Sequence, residues 1–135
     1  MTTESAPAAR PHTSIDAVAD RYTAELIRLN PSFATTLGVA GHETEYQDFS
    51  PAGITEFAAA ARQALADLDG LEPVDDVDAV TLDAMRERLG LQLLSNESGW
   101  EHADLNNIAS PAQDIRAIFD LMPTDTVQDW EHIAG

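Results

Sequence analysis

Three times along this chain a capping side chain is followed at once by proline: Asn30-Pro31, Ser50-Pro51 and Ser110-Pro111. An Asn or Ser oxygen can accept from the free amides of a first helical turn. A proline there loses no bond, because its missing N–H would have had no partner. Apolar residues at helical spacing follow each pair, so each pair predicts a helix start, and no segment shows the alternation of a strand. These signals restrict the chain to an all-α fold. Connections this short make five to six mostly antiparallel helices the simplest arrangement.

Taken in order, Ile15, Val18, Ala19, Tyr22, Leu26 and Leu29 share one stripe and predict a first helix over about Ser14–Asn30. Asn30-Pro31 restarts a short helix through Phe33, Ala34 and Leu37, with Gly38 as a left-handed terminator. Residues 38–50 break every periodicity and read as a surface loop, pinned by Tyr46 and Phe49. After Ser50-Pro51, Ile54, Phe57, Ala58, Ala61, Leu65 and Leu68 form a third helix that Gly70 ends. A fourth helix, from Asp76 or Val77 to about Ser98, carries two stripes. Leu82, Met85, Leu89 and Leu93 make one, and Val77, Val80, Ala84, Leu91 and Leu94 the other. A helix apolar on two faces predicts a central one packed on more than one side. Gly90 in its middle predicts a close helix contact or a slight bend. Beyond Ser110-Pro111, with Gln113 placed to bond back to the cap amide, come Ile115, Ile118, Phe119 and Met122. Met122-Pro123 stops that helix, and Thr124 or Thr126 caps the next one at Val127.

Composition removes several function classes. With 24 acidic residues against 7 basic ones, all arginine, the net charge is −17. Such a field repels phosphate backbones and anionic lipid, so nucleic acid and membrane are excluded as expected partners. Genome-wide bias or salt adaptation produces the same composition. The absence of cysteine removes disulfides and thiolate metal sites. Residues 1–13 are small, polar and proline-containing, and read as a flexible tail with no signal-peptide core. No apolar run reaches the roughly 20 residues of a membrane helix, so the expected location is cytoplasmic.

Candidate chemistry is sparse. His42-Glu43-Thr44-Glu45-Tyr46 begins like the zinc-peptidase signature His-Glu-x-x-His, but tyrosine takes the fifth position and the stretch lies in a loop. A helical pair of metal ligands is therefore not expected there. His102 and His132 follow Trp-Glu pairs and read as surface or half-buried histidines. Asp67 with Asp69, and Asp75, Asp76 and Asp78, sit at helix ends and linkers, where capping accounts for them. Asp104, Asn106 and Asn107 precede a helix start, and local turn chemistry accounts for them better than a ligand does. No catalytic, cofactor-binding or metal-binding residue is assigned.

Several stretches together resemble one family. They are Asn30-Pro31-Ser32-Phe33-Ala34-Thr35-Thr36-Leu37-Gly38, Asp48-Phe49-Ser50-Pro51-Ala52-Gly53-Ile54, and Leu105-Asn106-Asn107-Ile108-Ala109-Ser110-Pro111 running on to Ile115-Arg116 and Phe119-Asp120-Leu121-Met122-Pro123. With Trp130-Glu131 they resemble the N-terminal region of the DUF885 family, from about Asp20 onward. The resemblance implies a longer, mostly helical bacterial protein similar to zinc-dependent gluzincin peptidases. The metal motif it implies begins His-Glu, ends Pro-Gly-His-His, and matches no stretch here. Zinc is thus implied for the full-length family alone.

Two expectations arise. In one, residues 14–135 are a helical segment cut short at its C-terminus, the scaffold or cleft wall of a DUF885-like zinc-dependent peptidase or hydrolase and not catalytic by itself. Its partner is then the remainder of a larger polypeptide, which takes a peptide substrate. In the other, the chain is a stand-alone acidic helical module that binds a protein, or itself, through exposed helix faces. A small histidine–carboxylate metal site is a third and weaker idea.

Overall fold

A computed structural model describes residues 10–103 and 105–134. Among them are six α-helices, one 3-10 turn and no strand, so the fold is all-α. The helices are α1 (Ser14–Leu29), α2 (Pro31–Leu37), α3 (Pro51–Asp67), α4 (Asp76–Ser98), α5 (Pro111–Leu121) and α6 (Val127–Ala134), with the 3-10 turn at Trp100–His102 between α4 and α5.

The caps act largely as the sequence predicts. Asn30 closes α1 and opens α2, its side chain accepting from the Phe33 amide at 3.3 Å. Gly38 ends α2 in the left-handed region at φ 73°. Ser50 caps α3, and Thr126 rather than Thr124 caps α6, its hydroxyl accepting from Asp129 N. Asp129 accepts in return from the Thr126 amide at 2.8 Å, and the Thr126 hydroxyl together with that amide holds its carboxyl below the usual carboxylate range. The start of α5 differs from expectation. Ser110 is buried and makes no side-chain bond to the helix amides. Its hydroxyl donates instead to the Gln113 side chain, whose amide donates to the Asn106 carbonyl at 3.2 Å. Gln113 is thereby taken up by tying the helix to the preceding turn.

α1, α3 and α4 pack pairwise into one unit. Ile15, Val18, Leu68 and Leu82 form one core cluster, Ala61, Ala64 and Leu89 a second, and half-buried Met85 touches both. Buried alanines at 58, 61 and 64 let α3 approach its neighbours closely. Of the two stripes on α4, the one through Leu82 and Leu89 faces this core. The other does not: Val80 and Leu94 are 68% and 63% exposed, and Val77 and Leu91 are exposed as well. The expectation of packing on two sides is corrected, because α1 and α3 both lie against the same face. The close helix contact expected at Gly90 is corrected with it, since an added Cβ there meets nothing within 4 Å.

Outside this unit the packing thins. α5 rests on α2, and α6 buries none of its residues.

Candidate functional site

The irregular segment from Gly38 to Ser50 becomes a wedge between the main helical unit and α5. Phe49, at its end, is half-buried and held by its chain neighbours. Asp48 accepts from the Ser50 amide at 2.8 Å, and Gly53 of α3 lies so close that a Cβ there would stand 1.9 Å from the Asp48 carbonyl oxygen. Only glycine permits that approach. Tyr46 does not act as the expected pin and is 60% exposed.

Phe49 separates two open crevices. The larger, of about 610 Å³, is walled by Phe49, Ile54 and Phe57 on one side and by Trp100, His102 and Asp114 on the other. Asn30, Gln47, Gln92 and Ser95 add amide and hydroxyl groups to its rim. The second, of about 510 Å³, lies between Tyr46 and Phe49 and the Ile115–Phe119 side of α5. Beside them is a smaller crevice of about 250 Å³, bordered by Asn30, Phe33, Phe49 and Ile118. Ser32 also borders it, with a buried Oγ that has no hydrogen-bond partner among the described residues. A buried hydroxyl left unbonded is unfavourable by about 1–3 kcal/mol, so a polar group entering there would be stabilised.

An apolar cleft with a few amides, a histidine and a carboxylate can hold and orient a ligand. His42 bonds Glu45 through Nδ1 at 3.0 Å, and Glu43 accepts from the Gly41 amide at 2.9 Å, which holds its carboxyl below the usual range. His12 faces Asp20 at 2.9 Å. His102 lines the larger crevice, and His132 lies in the last turn of α6. Among the described residues no three His, Asp or Glu side chains are grouped so as to hold a metal ion. These residues do not fit a zinc site, and no chemical step is assigned to them. The acidic pairs have structural work: Asp67 is held below the usual range by Arg21 and Gln63, and Asp75 caps α4. Asn106 folds its own turn, accepting from Ile108 N and Ala109 N, while Asp104 lies outside the described residues.

What sequence reasoning missed is the convergence. Asn30 comes from the start of α2, Phe49, Pro51 and Ile54 from the loop end and α3, and Pro111 and Asp114 from α5, yet all line one crevice. These are the stretches that carry the family resemblance, and their separation in sequence hid their adjacency. The profile of the family described as "bacterial protein of unknown function (DUF885)" matches residues 31–135. The chain belongs to the DUF885 family. The match begins at residue 31 rather than near Asp20, so α1 precedes it while supplying Ile15 and Val18 to the core. No curated protein matches the sequence. As in the family description, the DUF885 match carries no activity with it. Among the described residues no helix is long and apolar enough to cross a membrane.

Proposed function

We propose that this chain supplies one wall of a substrate cleft in a DUF885 hydrolase of the zinc-peptidase type, and performs no chemistry by itself. The observation that carries this reading is the meeting of three separate family-like stretches around one open apolar crevice of about 610 Å³. Packing alone does not require a cleft where α2, α3 and α5 come together, whereas a ligand-binding wall does. The metal and the reacting groups would belong to other parts of a larger protein, whose substrate would be a peptide.

The test begins with the native species in its source cells, detected with an antibody to Asn106–Trp130. A species several times heavier than 14.6 kDa, holding zinc and hydrolysing peptides, is the expected result. Trp100→Ala in that species should raise KM for peptide several-fold with kcat little changed, because Trp100 lines the cleft without reacting. A heavy species without peptide hydrolysis would overturn the reading.

A second reading is favoured by the exposed stripe of Val77, Val80, Leu91 and Leu94, which gives an acidic interaction module a helix face to offer. A native species at 14.6 kDa that captures a protein through this face would decide for it.

A further inference from the structure

Ahead of α1, the described residues 10–13 lie across the corner where α1 meets the start of α4. Arg10 there touches three carboxylates. Its Nε donates to Asp75 Oδ2 at 2.5 Å and its Nη1 to Asp16 Oδ2 at 2.6 Å. Its Nη2 donates both to Asp75 Oδ1 at 3.2 Å and, more closely, to Asp78 Oδ1. Asp78 is 1% exposed, and it also accepts from the Thr13 hydroxyl at 2.8 Å and the Val74 amide at 3.1 Å. Thr13 caps α1 through Asp16 N, while Asp75 caps α4 through Asp78 N. One guanidinium therefore joins the cap of α1 to the cap of α4, across 65 residues of sequence.

We propose that residues 10–13 are a strap that locks the α1–α4 corner, released when the grip on Arg10 is lost. The charge balance gives the reason. Asp16, Asp75 and Asp78 gather three negative charges, one of them buried, around a single cation whose guanidinium fork meets carboxylates from two elements. Taking Arg10 away leaves a buried carboxylate with only neutral donors, and breaking such a contact from one side is strongly destabilising. Among the described residues, the charged groups bonded at this corner are His12 on the strap, paired with Asp20 of α1, and the three aspartates themselves. The strap lies outside the DUF885 match, whereas Asp75 and Asp78 lie within it. The segment before the family region is thus a working part of the fold, and its release loosens the end of α4 where the exposed stripe begins.

The test is thermal unfolding and amide hydrogen exchange of the whole chain carrying Arg10→Gln, Asp78→Asn, or both. Arg10→Gln at pH 7 should lower Tm by roughly 5 °C or more and speed exchange at least tenfold in residues 14–18 and 74–82, with the middle of α3 much less affected. Asp78→Asn should recover part of that loss in the Arg10→Gln background, because the unpaired buried charge is gone. The pH dependence has a fixed sign. Arg10 holds Asp75 below its ordinary carboxylate range, and the Thr13 amide together with Arg10 does the same for Asp16. Their contribution is present above the unfolded pKa and is lost as pH falls through the lowered folded one. The gap between wild type and Arg10→Gln should therefore close below about pH 4. An unchanged Tm at pH 7, a gap independent of pH, or uniform exchange across all helices would overturn the strap.

Discussion

The two ends of this molecule use the same local code and reach different degrees of order. α1, α3 and α4 bury Ile15, Leu68, Leu82 and Leu89 against one another, with Ala61 wholly enclosed. α5 and α6 have equally amphipathic sequences, and Thr126 caps α6, yet of their residues only Ile118 is buried, and Trp130 is 57% exposed while its Nε1 donates to the Thr124 carbonyl. Capping and periodicity decide that a helix forms and which face is apolar. Whether that face is covered depends on having two neighbours, which α3 has and α6 lacks.

Core truncations should break this comparison most visibly. Leu68→Ala removes a fully buried side chain where α1, α3 and α4 meet and should lower stability by roughly 2–5 kcal/mol in urea unfolding. Ile118→Ala should leave the midpoint of that main transition nearly unmoved and act on α5 alone, seen as faster amide exchange there. Equal losses from the two changes would mean that α5 belongs to the same cooperative unit.

A pair of glycines sharpens the contrast on a smaller scale. Gly53→Ala drives a Cβ into the Asp48 carbonyl and should destabilise by roughly 1–3 kcal/mol as the wedge is pushed away from α3. Gly90→Ala, made in open space within α4, should stabilise by about 0.5–1 kcal/mol. Thermal unfolding of the two variants reads both signs. A loss at Gly90 would mean that something presses on the outer face of α4.

Much of the fold was legible in the residues. The caps at Asn30-Pro31 and Ser50-Pro51, Gly38 and the Leu82–Leu89 stripe fell where local physical chemistry put them, whereas Ser110-Pro111 marked the start of α5 without capping it. The choice between the two stripes of α4 was not legible, because periodicity records that a face is apolar and not whether another helix arrives there. The Arg10 grip left no local trace either, since its aspartate partners at 75 and 78 are far along the chain. Gly53 was visible as a glycine, but its reason is the Asp48 carbonyl above it, a fact of three dimensions. The cleft has the same character: Asn30, Phe49 and Asp114 carry no shared signature until α2, the wedge and α5 come together.

If the exposed apolar face of α4 and the cleft beside it are walls of a larger assembly, both must be covered in the native species. Hydroxyl-radical footprinting tests this most directly, comparing Val77, Val80, Leu91, Leu94 and Trp100 in the native species with the same residues in the purified 135-residue chain. The four aliphatic residues should label readily in the purified chain and several-fold less in the native species, and Trp100 should be protected further when peptide is added. Equal labelling of the four in both samples would contradict the assembly and leave α4 with a face that belongs to solvent.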